Sequence, residues 1–447
     1  MATNTIAPLP PTPIDRVLSP FRRFAHTASA GGIVLLAAMI AALVWANSPW
    51  GDSYHHIWET EVGLSWGERT FSMSLHHLIN DGLMVVFFFL VGLEIKREVL
   101  VGELASAKAA ALPIAGALGG MVVPALLYSL INAGGVGAAG WGIPMATDIA
   151  FALGILALMG PRIPLALKVF LAASAIVDDL GAVLVIAFFY TADINVAALG
   201  LGALLLLILI GLNRAGVRHA GMYALVGVLL WAAFLVSGVH ATIAGVLLAL
   251  TIPARTRLDT EYFLVRGRDI LQQFDDAGVE GTSVLTNDGQ QAAIQAMEDT
   301  CEKAQAPLLR LEQGLHLWVA FGIIPLFALA NAGVHLSGSI MDSLNHPVSL
   351  GIILGLLVGK PVGITLFAWL AVRSGAAILP AGIGWRAIVG VGFVAGIGFT
   401  MSLFVSGLAF GMDSPLLDTA KIGILSASVL AASTGWILLR NVRAEGS

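Results

Sequence analysis

Long apolar segments recur along almost the whole chain and are separated by short polar stretches. About 20 consecutive apolar residues allow an α-helix to cross the hydrocarbon core of a membrane. The pattern therefore predicts an all-α polytopic membrane protein with twelve membrane-spanning helices, the eighth being the shortest. Their predicted bounds are 28–48, 74–95, 108–131, 139–159, 165–190, 195–212, 219–237, 240–253, 312–333, 348–372, 386–410 and 418–439.

The polar segments divide the chain into five regions. The first region is proline-rich and lacks the basic flank, short apolar core and small-residue site of a cleavable signal peptide. We expect it to be a cytosolic tail. The predicted regions are an N-terminal tail at 1–27, spans one to eight at 28–253, a cytosolic insert at 254–308, spans nine to twelve at 309–440 and a C-terminal tail at 441–447.

Two of the polar loops are long enough to have structure of their own. The outer loop at 49–73 contains alternating apolar and polar residues over Glu61–Trp66, which predicts a β-hairpin. In the insert, Ile294, Met297 and Cys301 recur at helical spacing and predict an amphipathic helix. That helix serves either in packing or in regulation.

The distribution of basic residues supports an even number of spans. Cytoplasmic loops of membrane proteins are richer in Lys and Arg than outer loops. If both termini are cytoplasmic, all but Arg69, Lys421 and Lys360 of the 23 lysines and arginines fall in cytoplasmic segments. The sequence thus predicts a multi-pass protein of the inner membrane with both termini in the cytoplasm.

The composition agrees with this placement. Hydrophobic residues make up 57% of the chain and charged residues 11%, whereas about 25% of an ordinary soluble domain is charged. The lipid bilayer is therefore an expected partner. No basic run is longer than Arg22-Arg23, so nucleic-acid binding is excluded. Cys301 is the single cysteine, so an intrachain disulfide is excluded as well.

Four charged residues lie near the middle of predicted spans. Asp148 is in span four, Asp178 and Asp179 are in span five, and Lys360 is in span ten. Each costs roughly 2.5–3.5 kcal/mol at the bilayer centre, so such residues must face one another or water. A static ion pair between Lys360 and one aspartate is one interpretation, but it leaves the other aspartates without a cation. A movable cation would fill that place.

Small monovalent cations suit these carboxylates chemically. Na⁺ and Li⁺ are hard ions that prefer oxygen ligands, and a buried carboxylate can hold either such an ion or a proton. Alternate occupancy of Asp178 and Asp179, opened first to one side and then to the other, gives cation/proton exchange. No prosthetic group, nucleotide or other cofactor is expected, and no enzymatic reaction.

Two predicted spans carry helix-breaking residues. Pro144 lies shortly before Asp148 in span four, and proline removes a backbone donor and disfavours the α conformation before it. Gly396 and Gly398 in span eleven permit an unwound stretch. Close helix packing is the alternative role for these glycines. Interrupted helices at corresponding places in two halves point to a binding site at a repeat interface, although the two halves show no convincing residue-level repeat.

A second group of charged residues is predicted at the cytoplasmic ends of spans two and nine. Glu94, Arg97 and Glu98 share one helix face, and Glu312 and His316 open span nine on the same side. These residues form either surface ion pairs or a pH-responsive network that gates the cytoplasmic opening.

Asp81 and His240 are candidate supporting residues. Asp81 lies in the outer half of span two. His240 titrates near neutral pH if it is unperturbed, and its alternative role is that of a hydrogen-bonded structural histidine.

The sequence resembles the NhaA family of sodium/proton antiporters over roughly residues 28–440. The family is known for inverted-repeat topology. The resemblance implies two discontinuous helices, spans four and eleven, that cross at mid-membrane. The matching segments are Asn80–Met84, Gly92–Glu98, Ala146–Phe151, Val177–Gly181, Ala330–Gly333, Gly359–Pro361 and Gly396–Thr400.

The resemblance also implies roles for individual residues. Asp179 would be the shared Na⁺ and H⁺ site, and Asp178 would join it in binding and pair with Lys360. Thr147 and Asp148 would lie at the helix crossing, where Asp148 offsets the partial charges of the helix ends. Exchange would be electrogenic and more active at alkaline pH, and the outer hairpin would contribute to a homodimer in the bacterial inner membrane.

The sequence departs from the family in the region of the predicted pH response. Gln313 follows Glu312, where well-known members have a histidine, and the insert at 254–308 is longer than expected. A sodium- or proton-coupled symporter of a small organic solute remains the alternative function, because interrupted helices serve it equally well.

Overall fold

The computed structural model describes residues 30–66, 69–191, 194–278, 283–334, 340–380, 382–440 and 442. The predicted cytosolic tails, 1–27 and 441–447, lie outside the described residues except for Val442.

Helices form most of the described chain. We number the α-helices in chain order and include within α3, α12 and α14 a short π-helical segment each, at Leu78–Leu83, Val319–Ile323 and Gly355–Gly359. The helices are α1 Ala30–Ala46, α2 Gly51–Glu59, α3 Leu75–Val101, α4 Ala107–Ile131, α5 Ile149–Leu158, α6 Leu165–Phe189, α7 Val196–Arg214, α8 Ala220–Ser237, α9 Thr242–Thr251, α10 Thr260–Asp276, α11 Asp288–Ala304, α12 Pro307–Asn331, α13 Ile340–Asn345, α14 Pro347–Arg373, α15 Trp385–Ala395, α16 Phe399–Phe410 and α17 Pro415–Leu439. Short 3₁₀ helices cover Glu103–Ala105, Ala138–Met145, Gly160–Arg162 and Val284–Thr286.

The predicted class, an all-α polytopic membrane protein, is confirmed. Among the described residues, nine helices are long and apolar enough to cross a membrane, or up to eleven if each of two bent pairs is one span. The bent pairs are α1 with α2, at 112°, and α15 with α16, at 49°. Each predicted span contains a helix, and the eighth corresponds to the ten-residue helix α9.

The predicted outer loop contains an antiparallel β-hairpin. Its strands are β1, Glu61–Trp66, and β2, Arg69–Ser74. Glu61 pairs with Ser74 and Trp66 pairs with Arg69, so the strands are in register along their whole length. The alternation of apolar and polar residues at this place in the sequence thus corresponds to a strand.

The insert contains the helices α10 and α11, which pack against each other. Ile270 of α10 and the small residues Ala293 and Thr300 of α11 are buried. The predicted apolar face of α11 is wrong in detail, because Ile294 is 40% exposed and Cys301 is exposed. The small side chains of α11 face inward because they allow the two helix backbones to approach closely.

The described residues form two compact units. The first contains the described residues up to Asn80, Ser106–Ile186 and the residues from Ala320 onward. The second contains Asp81–Ala105 and Ala187–Val319. All four charged residues predicted at mid-span therefore belong to the first unit, whereas the predicted pH-response residues belong to the second.

In the first unit, α4 and α14 touch backbone to backbone at a pair of glycines. A Cβ added to Gly119 would lie 2.0 Å from the carbonyl oxygen of Gly363, and a Cβ added to Gly363 would lie 2.0 Å from that of Gly119. No other residue type fits at either position without moving a helix. Small residues of this kind allow helices to pack closely in lipid. Lys360, one turn before Gly363, is thereby held against α4.

Candidate cation site

Two interrupted helical segments supply the backbone of the site. The 3₁₀ helix Ala138–Met145, which contains Pro144, ends three residues before α5 begins, and Asp148 is the N-cap of α5. In the second segment, Gly396–Gly398 separate α15 from α16. A Cβ at Gly396 would lie 2.4 Å from the carbonyl oxygen of Leu356, so this break requires glycine.

The two breaks are hydrogen-bonded to each other. The backbone N–H of Asp148 donates to the carbonyl oxygen of Ile397 at 2.7 Å. The hydroxyl of Thr147 lies 2.9 Å from the carbonyl oxygen of Ala395. Backbone groups released by one interrupted segment are therefore satisfied by the other, as buried polar groups require.

Asp148 bridges the N-termini of α5 and α16. Its side chain is buried, and its Oδ1 accepts the N–H of Phe151 at 2.9 Å. Its Oδ2 accepts the hydroxyl of Thr400 at 2.5 Å and the backbone N–H of Thr400 at 3.2 Å. Both helix N-termini carry partial positive charge, so a carboxylate between them is favoured. Asp148 thus holds the two breaks together through its own hydrogen bonds.

Asp178 and Lys360 form a buried ion pair beside these breaks. The Lys360 Nζ donates to Asp178 Oδ2 at 2.5 Å and also to the carbonyl oxygen of Met145. The hydroxyl of Thr147 lies 2.7 Å from the same Asp178 oxygen. Asp178 is 3% exposed and Lys360 is 1% exposed. Thr147 therefore links the interrupted segment before α5 to the ion pair.

Asp179 follows Asp178 on α6 and is also buried, at 2% exposure. Successive residues of an α-helix point about 100° apart, so the two carboxylates leave the helix in different directions. Asp179 is close enough to Lys360 for its charge to act on the ammonium group. The structure therefore brings Asp148, Thr147, Asp178, Asp179 and Lys360 into one unit, from three separate segments of the chain.

The second unit contains a separate charge cluster. Arg97 Nη1 pairs with Glu312 Oε1 at 2.6 Å, and Arg97 Nη2 pairs with Glu98 Oε1 at 2.9 Å. Glu94 lies one turn before Glu98 on α3. The side chain of Glu312 is largely buried. Arg97 is therefore the cation that connects α3 to the start of α12.

The remaining predicted residues have different surroundings. His316 is exposed on α12, one turn after Glu312. His240 Nε2 lies 2.6 Å from the carbonyl oxygen of Tyr190, which suits a structural histidine. The backbone carbonyl of Asp81 accepts the indole N–H of Trp231 at 2.7 Å.

Two residues of these sites were missed by the sequence reasoning. Thr400 lies within the segment Gly396–Thr400 of the NhaA resemblance, but the sequence analysis did not assign it to the site. Its position two residues after the Gly396–Gly398 break is a signal that would have identified it. Lys96 donates to the carbonyl oxygens of Leu250, at 2.7 Å, and Ile252, and so fixes the C-terminus of α9. Nothing in the local sequence pattern distinguishes Lys96 from an ordinary loop lysine.

The donor set in the first unit suits a small monovalent cation. In the described part of the chain, no group of three or more His, Cys, Asp and Glu residues is placed to hold a metal ion. The carboxylates of Asp178 and Asp179 and the hydroxyl of Thr147 are hard oxygen ligands. Such ligands match Na⁺ or Li⁺ better than a transition metal.

Comparison with known proteins gives a consistent picture. The family described as Na+/H+ antiporter 1 matches residues 22–439. A protein named Na(+)/H(+) antiporter NhaA from Oleidesulfovibrio alaskensis is 53% identical over 430 residues, which cover 96% of this chain and 95% of the relative. A protein of the same name from Koribacter versatilis is 52% identical, and the match covers 97% of this chain and 94% of the relative. Another, from Acidithiobacillus ferrooxidans, is 51% identical, and the match covers 95% of this chain and 98% of the relative.

Proposed function

Because the chain belongs to the Na+/H+ antiporter 1 family, we propose that it is an electrogenic Na⁺(Li⁺)/H⁺ antiporter of the bacterial inner membrane, exporting Na⁺ in exchange for protons. The observation that carries this proposal is the buried Asp178–Lys360 pair, joined through Thr147 to two interrupted helices. Buried ionisable groups in a membrane protein mark ion and proton pathways. Interrupted helices are where transporters bind their ions.

Two states of the site account for exchange. In the proton-loaded state, Asp179 is protonated and Asp178 pairs with the Lys360 ammonium, an arrangement that fits the contacts described above. In the cation-loaded state, both carboxylates and the Thr147 hydroxyl ligate Na⁺, and Lys360 is neutral. Na⁺ and the transported protons do not occupy the site together, because Na⁺ and the Lys360 ammonium group compete for the Asp178 carboxylate.

The charges of the two states explain electrogenicity. The cation-loaded state has two carboxylates and one Na⁺, so its net charge is negative by one. The proton-loaded state has one carboxylate and one ammonium, so it is neutral. Replacing one Na⁺ by two protons, on Asp179 and Lys360, therefore moves one net charge across the membrane in each cycle. The membrane potential then contributes to the driving force.

The charge cluster of the second unit is proposed to regulate access. Protonation of Glu312 would weaken the ion pair that Arg97 makes between α3 and α12. Glu94, Glu98 and His316 are proposed as further members of this network, and Glu98 pairs with Arg97 within α3. Activity would then depend on pH through these contacts. We further propose that both termini face the cytoplasm and that β1 and β2 contribute to a homodimer.

The test uses purified protein in liposomes with an imposed pH gradient and an internal pH dye. Na⁺, Li⁺ or K⁺ is added between pH 6 and 9, and proton movement is followed by dequenching. We expect a response to Na⁺ or Li⁺ that Asp179→Asn abolishes, since an amide has the shape of the acid but cannot exchange a proton. Asp413→Asn, at an exposed turn residue, is the matched control.

Two outcomes would contradict the proposal. Wild-type exchange in Asp179→Asn would remove Asp179 from the mechanism. Sodium-dependent uptake of an organic solute without proton counterflow would establish the symporter instead. Electrogenicity is tested separately, by measuring exchange at clamped membrane potentials. An exchange rate that does not depend on the potential would exclude the exchange of two protons for one Na⁺.

A further inference from the structure

A small cavity lies directly against the ion pair of the first unit. Its volume is about 10 Å³, and its wall includes Asp178, Lys360, Thr147 and Ser174. A site of this volume accommodates about one water molecule, provided that two to four polar groups are available to it. Na⁺ is smaller than a water molecule, so the same space can hold it once enough oxygen ligands surround it to replace its hydration shell.

Two of the residues that line this cavity each carry an oxygen without a hydrogen-bond partner in the described part of the chain. Ser174 Oγ and Asp178 Oδ1 are both buried, and neither has a hydrogen-bond partner among the residues that the structure describes. Ser174 as a whole is 5% exposed. Buried polar atoms of proteins are almost always satisfied by the protein, by water or by an ion. Both oxygens therefore point to an occupant that the protein itself does not supply.

The position of Ser174 differs from that of an ordinary serine in a membrane helix. Such a serine usually bonds a carbonyl oxygen three or four residues earlier on its own helix. Ser406, fully buried on α16, does this and donates to the carbonyl oxygen of Leu403 at 2.8 Å. Within the described structure, Ser174 makes no such bond. Its hydroxyl is thus available for a ligand, whereas that of Ser406 is not.

The opposite wall of the cavity, formed by α4, contributes no polar side chain. A Cβ added to Gly116 would lie 3.5 Å from Ser174 Oγ, and one added to Gly120 would lie 3.7 Å from the Cε of Lys360. The side-chain oxygens in the lining of the cavity are those of Asp178, Thr147 and Ser174. These three residues offer hard oxygen ligands opposite an apolar wall, which is an incomplete coordination shell for a small cation.

We propose that Ser174 is a ligand of the transported cation. In the proton-loaded state its hydroxyl shares a water molecule with Asp178 Oδ1. When Lys360 gives up its proton and Asp178, Na⁺ or Li⁺ takes this place and keeps Ser174 Oγ as one of its oxygens. The inference rests on the proposed function and adds to it a residue that sets the affinity of the site for cations.

The test compares the full-length wild type with Ser174→Ala in the liposome assay. We expect Ser174→Ala to raise the apparent KM for Na⁺ and for Li⁺ roughly three- to tenfold, in line with the loss of one interaction of ordinary hydrogen-bond strength. The maximal rate should stay within about twofold, because the acidic residues are unchanged. Ser406→Ala, which removes an equally buried hydroxyl elsewhere, is the matched control and should leave KM unchanged.

A second variant separates the oxygen from the space that it fills. Ser174→Cys keeps a side chain of similar shape but replaces a hard oxygen with a soft sulfur, which is a poor ligand for Na⁺. We expect its apparent KM to be raised as in Ser174→Ala. A KM within twofold of wild type in either Ser174 variant, or an equal rise in Ser406→Ala, would overturn the proposal.

Cation binding without transport provides an independent readout. Purified wild type should be stabilised against thermal unfolding by NaCl relative to choline chloride, because a bound ion stabilises the folded state. The Na⁺ concentration for half-maximal stabilisation should rise in Ser174→Ala by the same factor as KM. If Ser174→Ala matches wild type while Asp179→Asn abolishes exchange, Ser174 is not a ligand and the proposed function stands. If wild type neither binds nor exchanges Na⁺, both proposals fail.

Discussion

Removal of the Lys360 ammonium should destabilise the protein measurably. In Lys360→Met, a side chain of similar length replaces the lysine. Of the partners that the structure describes for the Asp178 carboxylate, only the Thr147 hydroxyl then remains. Both side chains of the original pair are at most 4% exposed. Loss of one partner from a buried ion pair costs roughly 3–5 kcal/mol, because an uncompensated charge remains in the interior.

The expected shift in melting temperature follows from the size of the chain. At about 2.1 cal/mol/K per residue, the 447 residues give an unfolding entropy of roughly 0.9 kcal/mol/K. A loss of roughly 3–5 kcal/mol then lowers the melting temperature by roughly 3–5 °C. Lys360→Met combined with Asp178→Asn removes both charges, so the double variant should be about 2 kcal/mol more stable than the sum of the single losses predicts.

Thermal unfolding in detergent, followed by the fluorescence of the ten tryptophans, measures these shifts. Lys303→Met is the control, because Lys303 pairs with Asp299 at 2.5 Å on the exposed surface of α11, where such pairs contribute about 0.5 kcal/mol or less. A melting temperature of Lys360→Met equal to that of the wild type would refute the stabilising role of the ion pair. This role is also refuted if the losses of the two single variants simply add in the double variant.

Two further changes test the packing and the charge cluster. Gly363→Ala places a Cβ 2.0 Å from the carbonyl oxygen of Gly119 and should cost about 3 kcal/mol. Gly211→Ala is the control, because its added Cβ would have no atom within 4 Å; its free energy of unfolding should rise by up to about 1 kcal/mol. Equal melting temperatures for Gly363→Ala and Gly211→Ala would contradict the close backbone contact. Arg97→Gln leaves the buried Glu312 carboxylate without its cation, so the loss of melting temperature should be smaller at pH 5 than at pH 9, because a lower pH favours protonation and protonation removes the unpaired charge. A loss of the same size at both pH values would contradict this explanation.

The fold class could be predicted because lipid imposes a simple rule on the sequence. Every backbone polar group within the bilayer must be satisfied internally, so a spanning segment is a long apolar helix. Even the short helix α9 was predicted, because the distribution of lysines and arginines required an even number of spans. The hairpin sequence Glu61–Trp66 likewise has the strict alternation that a strand needs.

The charged residues of the site could be predicted for the same reason. Lys360, Asp148 and the Asp178–Asp179 pair are conspicuous because an ionisable group inside a membrane is costly without a partner. Their partners were not predictable in detail. Thr400 reaches Asp148 across 252 positions of sequence, and only the folded chain shows this contact. The pairing of Lys360 with Asp178 was implied by the NhaA resemblance alone, because the spacing of the residues does not distinguish Asp178 from Asp179.

The role of Ser174 and the buried side of α11 could not be predicted from the sequence. A single serine in an apolar helix is usually satisfied by its own backbone, so its local sequence gives no sign of a free hydroxyl. On α11, the spacing of Ile294 and Cys301 predicted the helix but not its buried side. That side is set by the partner helix α10, which accepts the smaller residues Ala293 and Thr300.

The contact between Gly119 and Gly363 also has a mechanical consequence. If α14 tilts against α4, this contact would act as the pivot, because no side chain separates the two backbones there. Lys360 is three residues from the pivot, roughly 4.5 Å along the helix axis, whereas Pro347 at the end of α14 is roughly 24 Å away. A tilt of about 10° would therefore move Lys360 by roughly 0.8 Å and Pro347 by roughly 4 Å. The ammonium group stays within reach of its carboxylate while the helix end swings, so opening the site to one side need not break the ion pair.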